Sequence, residues 1–377
     1  MSSSLAAQEI ASDAAGFIGR IPVRNLWLLM LYASELYRTR GDGSLGQEDD
    51  LEDLPGLVAE ILAQAVEQRQ RRQLTYGYQS RDAVLNRVRG RIDLIGTERR
   101  QLLSRGLVAC HFDELTVDTP RNRFVRAALE KIARLVRRPE LAHRCRSMAG
   151  DLRAMGVSGN PPTRAQISAD RFGRNDTADR FMVAAAKLAF DLALPTEAAG
   201  PNAMLQPERE ETWVRRLFEK AVGGFYAVTL TPQGWRVRTG APLGWAIEAK
   251  TPGIDAILPA MRTDVILEHV PTNRRIVIDT KFTTILAKGW YSDATLRSGY
   301  LYQIYAYLRS QVDRGDPMAD QAFGMLLHPS AGASVDESVV IQGHQIRFAT
   351  VDLTASSKDI RARLLTLSSF PEIEKPA

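Results

Sequence analysis

The stretch that decides the fold consists of two apolar runs joined by a turn: TDVILE at residues 263–268, PTN at 271–273 and RIVIDTKF at 275–282. Each run has the length and β-branched composition of a strand, and each contains a carboxylate. A hairpin centred between Pro271 and Thr272 places residue 264 opposite residue 279. Side chains two positions apart in a strand share a face, so we expect Asp264, Asp279 and Lys281 to meet on one side of a sheet.

The chemistry of these three residues predicts a metal site. Carboxylates in apolar strands are costly unless a cation or a hydrogen-bond network stabilises them. Hard cations such as Mg²⁺ take oxygen ligands, and a bound metal polarises a phosphate and lowers the pKa of a bound water. We therefore expect Asp264 and Asp279 to bind Mg²⁺ and Lys281 to orient the attacking water during phosphodiester cleavage. The alternative is a structural Asp–Lys pair at a sheet edge.

A second acid-x-lysine triplet lies in WAIEAK at residues 245–250. No preceding strand offers an acid opposite Glu248, and TPG at 251–253 breaks regular structure directly after Lys250. We interpret this triplet as an exposed strand end.

Composition places the chain among ordinary globular proteins. Its 377 residues, 45% hydrophobic and 25% charged, are enough for two or three domains. No apolar stretch approaches the ~20 residues that span a bilayer, and the N-terminus lacks the features of a signal peptide. The two cysteines, Cys110 and Cys145, exclude a disulfide framework, a cysteine zinc site and a four-cysteine iron–sulfur cluster. These features predict a cytoplasmic protein.

Arginines are clustered although the net charge is only +5. The densest groups lie at residues 68–72, 99–100 and 134–138, with Arg144 and Arg146 close behind. Such clusters suit contacts with phosphates or acidic proteins, and the alternative for each is a solvated helix face.

The N-terminal half indicates a mixture of helices and a small sheet after a flexible start at residues 1–16. The region 17–200 opens with an apolar helix at 26–33, which Asn25 could cap and which must be buried within the chain or against a partner. A helix at 54–72, a β module at 74–117 and a helix opened by DTPRN at 118–122 follow.

The C-terminal half, residues 201–377, alternates helices with strands. The predicted elements are a helix at 210–228, strands near 235–237 and 245–247, the hairpin, a helix at 300–308, strands at 322–327, 339–341 and 346–351, and a short C-terminal helix. We expect an α+β N-terminal region followed by an α/β domain with a central mixed sheet.

Three further residues are candidates for the same site. Gln303 and Tyr307 lie one helical turn apart, with Tyr300 on the same face, and are expected to contact a DNA phosphate or support the metal site. The alternative is a helix that packs aromatic residues into the core. Glu219, on the helix that opens the second half, could supply another carboxylate or be a solvated residue, and Glu211 is its rival.

Several other chemistries lack their sequence signals. The chain contains no P-loop sequence for a nucleotide, no histidine pair with the spacing of zinc ligands and no G-x-S-x-G sequence of a serine hydrolase.

A series of short motifs in this order resembles the McrC family, the nuclease subunits of McrBC modified-cytosine restriction systems. The motifs are IPVRNL at 21–26 with Tyr32-Ala33, RGRI at 89–92, FDEL at 112–115, TPRN at 119–122, LFE at 217–219, Asp264, and DTK at 279–281. The acidic motif resembles that of the PD-(D/E)xK superfamily, and Gln303 with Tyr307 matches the Q-x-x-x-Y element of its RecB-like branch. Thr263 stands where that superfamily often has proline.

The resemblance implies a restriction-endonuclease-like PD-(D/E)xK domain at 201–377 and an adaptor region at 17–200 that docks an McrB-type AAA+ GTPase hexamer. In such systems the partner binds GTP and recognises modified cytosine such as 5-methylcytosine. The McrC-type chain stimulates GTP hydrolysis and cleaves double-stranded DNA with Mg²⁺. The implied catalytic set is Asp264, Asp279, Lys281, Gln303, Tyr307 and Glu219, with Asp264 and Asp279 as the metal ligands.

The helix at 26–33 and the arginine clusters are candidate docking surfaces for that partner, and we expect no membrane association. Two alternatives remain open. One is a non-catalytic regulatory or scaffold subunit of the ring, and the other is a stand-alone RecB-like DNA repair nuclease.

Overall fold

The computed structural model of the chain describes residues 17–18, 21–40, 53–163, 166–167, 172, 176–198, 207–287, 295–331, 334–370 and 373. The predicted flexible segment 1–16 lies outside these residues. The chain forms two compact units: residues 1–54 with 194–377, which we name the sheet unit, and residues 55–193, which we name the inserted unit. The division at Leu194 is close to the predicted boundary at 200. The start of the chain, however, belongs to the sheet unit, whereas the prediction grouped it with residues up to 200.

The sheet unit begins with a short strand pair, β1 (Phe17–Ile18) and β2 (Ile21–Pro22), followed by helices α1 (Val23–Ala33) and α2 (Glu35–Arg40). The prediction that Asn25 caps the first helix is wrong, because α1 begins two residues earlier, after Pro22. The Asn25 side chain instead donates hydrogen bonds to the carbonyl oxygens of Leu353 and Ala355, at 2.7 and 3.0 Å.

The inserted unit combines helices with a three-stranded antiparallel sheet. Its elements in chain order are α3 (Leu54–Arg71), β3 (Gly77–Leu85), β4 (Arg91–Ile92), α4 (Leu94–Arg99), β5 (Val108–Thr116), α5 (Pro120–Ile132), α6 (Pro139–Ala154) and α7 (Thr177–Ala198). Strand β5 lies between β3 and β4, so the predicted β module is confirmed. The predicted helix start is confirmed as well, since the Thr119 hydroxyl accepts a hydrogen bond from the backbone N–H of Asn122 and Pro120 occupies the first turn.

The second part of the sheet unit supplies a six-stranded mixed sheet of order β14-β15-β13-β10-β9-β6. Its elements are α8 (Pro207–Leu230), β6 (Arg236–Thr239), β7 (Pro242–Leu243), β8 (Met261–Arg262), β9 (Val265–His269), β10 (Arg274–Thr280), β11 (Leu286–Ala287), β12 (Thr295–Leu296), α9 (Ser298–Arg309), α10 (Pro317–Asp320), β13 (Phe323–Ser330), β14 (Asp336–Ile341), β15 (His344–Asp352) and α11 (Ser357–Leu367). Strands β10, β13 and β15 are parallel, and the other neighbours are antiparallel. The predicted α/β fold with a central mixed sheet is confirmed.

The hairpin of β9 and β10 has the predicted register. Ile278 pairs with Val265 and Arg274 with His269, so the next position along the ladder sets Asp279 opposite Asp264. The chain reverses through a short 3₁₀ turn that ends at Asn273, whose φ of 48° lies in the left-handed region that asparagine tolerates.

Helices cover both faces of the sheet, and glycines permit their close approach. A Cβ on Gly223 of α8 would lie 2.5 Å from a methyl carbon of Thr239, and one on Gly324 would lie 2.9 Å from a methyl carbon of Leu308 on α9. Residues 265–268 and 276–280 are consequently buried on both sides.

Helix α1 packs against α8 and forms part of the core of the sheet unit. The ring centroids of Tyr32 and Phe225 are 5.1 Å apart, and Leu26 and Leu31 are fully buried. The apolar face of α1 is thus covered by this chain, so it is not the free docking surface that the sequence suggested.

The remaining elements agree with the predictions in kind, with one exception. Residues 245–247 form no strand, because the preceding strand β7 ends at Leu243 and the segment behind it is irregular. Among the described residues, no helix is both long and apolar enough to cross a membrane.

Candidate active site

The hairpin brings the three predicted residues together at one end of the sheet. Asp279 is the penultimate residue of β10 and is 1% exposed, while Asp264 directly precedes β9. Lys281 continues the strand, since its backbone N–H donates to the carbonyl oxygen of Leu327 at 2.9 Å. Its ammonium nitrogen lies 2.6 Å from Oδ2 of Asp279. Residues 279 and 281 therefore share the face predicted from the two-residue period of a strand.

Asp264 is held by Thr280, the residue between Asp279 and Lys281. Its Oδ2 accepts hydrogen bonds from the backbone N–H and the hydroxyl of Thr280, both at 2.7 Å. Because both hydrogen bonds go to Oδ2, they fix the orientation of the carboxylate and leave Oδ1 available to a further ligand.

Thr263, at the position where proline is common in the resembling superfamily, has a structural function of its own. It is 1% exposed, and its backbone N–H and hydroxyl both donate to the carbonyl oxygen of Ala241, at 3.0 and 3.2 Å. Proline at this position would lose both hydrogen bonds. The threonine therefore fixes the backbone directly before Asp264.

The electrostatics of the pair favour an added positive charge. The pKa of Asp279 is raised to about 6, because burial and, to a smaller extent, the charge of Asp264 outweigh the opposing effects of Lys281 and Arg215. One lysine therefore does not offset the cost of two neighbouring carboxylates in a dry environment. A divalent cation would do so, and it would favour the ionised form of both groups.

Glu219 reaches the same group of charges from helix α8. Its carboxyl is half-buried, and its pKa is raised by burial and by the charge of Asp264, with Arg215 and Arg262 opposing. The structure thus brings Glu219 near Asp264. The side chain of its rival, Glu211, lies outside the described part of the chain.

Gln303 and Tyr307 face the carboxylates from helix α9. The Gln303 amide donates to the Tyr307 hydroxyl at 2.6 Å, and Tyr307 is buried. The pKa of Tyr307 is raised by burial and by the charges of Asp279 and Asp264, whereas the hydrogen bond from Gln303 lowers it. The phenol therefore stays protonated beside the acidic pair and can serve as a hydrogen-bond donor there.

On the side away from Asp279, the Lys281 side chain lies near Tyr300, which in turn contacts Thr283 and His328. Its ammonium lies 5.3 Å from the ring centroid of Tyr300, whose hydroxyl accepts a long hydrogen bond, 3.4 Å, from the Thr283 hydroxyl. Nδ1 of buried His328 donates to the Thr283 carbonyl oxygen at 2.8 Å, and the rings of His328 and Tyr300 are 5.9 Å apart.

Sequence reasoning did not identify Arg215, Thr280 or His328 at this site. Arg215 has a local signal, because it lies one helical turn before Glu219. Thr280 carries none, since any residue can occupy the middle of an acid-x-lysine triplet. His328 arrives from β13, a strand that the sequence does not show to be the parallel neighbour of β10.

The second acid-x-lysine triplet does not join the site. Glu248 and Lys250 are exposed in an irregular segment, and the Lys250 ammonium pairs with Asp255 at 2.6 Å. Its interpretation as exposed is confirmed, although the segment is not the end of a strand.

The donor set of the acidic pair fits magnesium better than a transition metal. Within the described residues, no three His, Cys, Asp or Glu side chains are grouped so that they could hold one ion. Asp264 and Asp279 offer two carboxylates, and Mg²⁺ characteristically binds one or two carboxylates while it keeps several waters. The oxygen-only chemistry and the unfavourable burial of the Asp279 charge both fit such an ion.

Among the described residues, three of the clustered arginines, Arg69, Arg138 and Arg144, form ion pairs with acids of the inserted unit. Arg69 lies 2.7 Å from Asp179, and Arg144 lies 2.7 Å from Glu67. These arginines are therefore partly neutralised, which favours the structural alternative for the clusters to which they belong.

A different part of the inserted unit exposes apolar and basic side chains together. Leu94, Ile95 and Leu103 are 69%, 80% and 70% exposed, and Arg99 and Arg100 lie exposed between them in the sequence. We name these five residues the tip surface. Exposed apolar groups at this density, flanked by cations, are typical of a surface that binds another protein.

The fold and site define a mixed α/β protein with a pair of acids, one of them buried, and a lysine at the end of its central sheet. Residues 8–184 match the model of the family described as McrBC 5-methylcytosine restriction system component. The match covers slightly less than half of the chain, and over these residues it confirms the resemblance predicted from the sequence. The matched residues end before the sheet, so the acidic site lies outside the match.

Comparison with solved structures finds a chain of the refined half-complex from a tetradecameric assembly of Thermococcus gammatolerans McrB AAA+ hexamers with bound McrC. The two chains are 14% identical with a TM-score of 0.41, over 92% of this chain and 76% of that one. Comparison with curated proteins gives no match.

Proposed function

We propose that the chain is the Mg²⁺-dependent endonuclease subunit of a GTP-dependent restriction system that cleaves DNA containing modified cytosine. The observation that carries the proposal is the convergence of Asp264, Asp279 and Lys281 on one face of the hairpin, with the 2.6 Å contact between Asp279 and Lys281. Such a constellation at the end of a mixed sheet is what a nuclease site of the PD-(D/E)xK type requires.

Each residue of the proposed site has a chemical function. Mg²⁺ bound by Asp264 and Asp279 would polarise the scissile phosphate and lower the pKa of a bound water. The Lys281 ammonium orients the attacking water and donates a hydrogen bond to the phosphate oxygen on which charge develops. The attacking water releases one proton to solvent, and the bond between its oxygen and phosphorus forms as the phosphorus–oxygen bond to one sugar breaks. The alkoxide that leaves takes a proton from solvent.

The supporting residues act on the substrate and on the acids. The Tyr307 phenol, oriented by Gln303, is placed to donate a hydrogen bond to a DNA phosphate or to a water beside Asp279. Glu219 adds negative charge near Asp264 and would strengthen cation binding from the α8 side.

The proposed partner is an McrB-type AAA+ GTPase hexamer, which would bind GTP and recognise the modified base. The family match over residues 8–184 supports this assignment, as does the absence of a P-loop sequence in this chain. The tip surface of the inserted unit is the best candidate for docking, since its exposed leucines and isoleucine would gain from burial in a partner.

A cleavage assay tests the proposal directly. The chain, its McrB-type partner, GTP, Mg²⁺ and duplex DNA with 5-methylcytosine are combined, and wild type is compared with Asp279→Ala and Lys281→Ala. Both variants should lose cleavage by about a thousandfold or more, as expected when groups essential to the reaction are removed. The matched control is the double variant Glu248→Ala, Lys250→Ala. It removes the exposed acid-x-lysine triplet that lies outside the site and should leave cleavage intact.

The same assay separates the alternatives. Undiminished cleavage by Asp279→Ala would refute the site assignment. Wild-type protein that stimulates GTP hydrolysis by the partner but never cuts DNA would indicate a regulatory or scaffold subunit. Efficient cutting without partner or GTP would indicate a stand-alone nuclease.

A further inference from the structure

Lys281 needs a second support besides Asp279. A lysine side chain has four rotatable bonds, so it holds one position only when its ammonium is bound by fixed groups. Asp279 provides one such group at 2.6 Å, but this carboxylate is also a proposed ligand of the metal. A cation shared by the same carboxylate repels the ammonium. The position of Lys281 in the working site must therefore depend on something other than this ion pair alone.

The ring of Tyr300 meets this requirement. The ammonium of Lys281 lies 5.3 Å from the ring centroid, within the ~6 Å over which an aromatic face attracts a cation. Only 11% of the Lys281 side chain is exposed, so the attraction is weakened little by water. An aromatic face carries no formal charge and does not compete for the metal.

The position of Tyr300 is supported by Thr283, which follows β10, and by His328 on the neighbouring strand β13. Thr283 donates its hydroxyl to the Tyr300 hydroxyl and accepts the Nδ1–H of His328 on its carbonyl oxygen. In the parallel register of β10 and β13, Thr280 pairs with Leu327, so His328 is the next residue along, beside Lys281. The imidazole is 1% exposed and packs 5.9 Å from the Tyr300 ring.

The protonation state of His328 also suits a position beside the Lys281 ammonium. Burial lowers the pKa of His328, the hydrogen bond to Thr283 opposes this, and the nearby charge of Lys281 lowers it further. The imidazole is therefore neutral at physiological pH and adds no positive charge beside the ammonium.

We propose that Tyr300 is a positioning residue for Lys281, braced by His328 and Thr283, and that its aromatic face keeps the ammonium at the reaction centre when Asp279 binds the metal. The inference deepens the proposed nuclease function, on which its catalytic consequence rests. The placement of the lysine by the ring is a property of the metal-free protein and can be measured without activity.

The first measurement is the reactivity of Lys281 toward a lysine-acylating reagent, read by mass spectrometry on the full chain without metal or DNA. Tyr300→Leu should raise the rate of acylation at Lys281 by about fivefold to tenfold, the range that loss of a partly buried cation–aromatic contact implies. Tyr300→Phe keeps the aromatic face and should restore a rate near that of wild type. Tyr302→Leu is the matched control, because Tyr302 is 67% exposed on the same helix.

The second measurement is cleavage with the partner, GTP and Mg²⁺. Tyr300→Leu should lower kcat about tenfold with little change in KM, since it affects the group that acts on the transition state. Tyr300→Met is a second variant that fills more of the space, so a folding defect in one substitution does not decide the result. Circular dichroism and thermal unfolding identify the variants that are folded.

The outcomes separate this inference from the proposed function. Unchanged Lys281 acylation and unchanged kcat in folded Tyr300→Leu or Tyr300→Met would overturn it, and so would Tyr300→Phe behaving as the leucine variant does. Increased acylation in a protein whose wild type never cuts DNA would uphold the positioning of Lys281 and refute the nuclease function instead.

Discussion

Replacing Asp279 with asparagine is expected to stabilise the metal-free protein at neutral pH, although it removes the proposed metal ligand. Asp279 is 1% exposed, and burial above all raises the pKa of its carboxyl from 3.8 to about 6. The folded state therefore holds this proton more tightly than the unfolded chain. Stability falls as the pH rises between those two values and remains low above them. At about 1.4 kcal/mol per pKa unit, the rise corresponds to about 3 kcal/mol.

Asparagine has nearly the shape of the protonated carboxyl, so it removes the charge whose burial is unfavourable. The variant should exceed wild type in stability by up to about 3 kcal/mol at pH 8, by about half of that at pH 5, and by nothing below about pH 4. The favourable contact with Lys281 is already contained in the pKa, since it lowers that value.

Urea unfolding of the full chain in EDTA, followed by tryptophan fluorescence at pH 5 and pH 8, measures the difference. Glu337→Gln on strand β14, an exposed carboxylate, is the control and should change stability by less than about 0.5 kcal/mol at either pH. Added Mg²⁺ should stabilise wild type but not Asp279→Asn. A variant no more stable than wild type at pH 8, or a gain that does not shrink at pH 5, would refute the reasoning.

Four further predictions concern packing, three of them in the sheet unit and one in the inserted unit. Gly224→Ala should destabilise the protein by at least about 2 kcal/mol in thermal unfolding, because its Cβ would lie 1.9 Å from the carbonyl oxygen of Tyr32. Gly150→Ala in the inserted unit, whose Cβ would have no atom within 4 Å beyond its chain neighbours and the backbone of its own helix, should instead gain up to about 1 kcal/mol. Asn25→Ala leaves two carbonyl oxygens without their donor and should cost about 1–3 kcal/mol in urea unfolding; a neutral effect would mean that water replaces the amide. A chain of residues 201–377 alone lacks α1, whose buried leucines contribute about 1.5–3 kcal/mol each, and should bind ANS and sediment as aggregate; a monomer with cooperative unfolding would contradict this.

The hairpin and its acids were predictable because their determinants are local. The turn at Pro271 and Asn273 sets the register, and the two-residue period of a strand then decides which side chains share a face. Asp264, Asp279 and Lys281 could therefore be placed from a stretch of fewer than twenty residues.

The failures come from contacts between distant parts of the chain. Asn25 precedes an apolar run and so reads as a cap, yet the carbonyl groups that it binds stand 328 and 330 positions further on. His328 was missed for the same reason. It lies beside Lys281 because β13 is the parallel neighbour of β10, and the sequence does not reveal that strand order. No local pattern carries such information, because the sequence of one segment does not show which other segment covers it.

The interleaving of the two units has a consequence for how the protein is made. Helix α1 leaves the ribosome well before its partner α8, which begins only at residue 207. At roughly 5–20 residues per second, the helix remains without this partner for about 10–35 s, and Asn25 remains without its carbonyl groups for about 15–65 s. During this interval a nascent chain presents an uncovered run of leucines. Its yield in the cell should depend on chaperones that shield such segments until translation is complete.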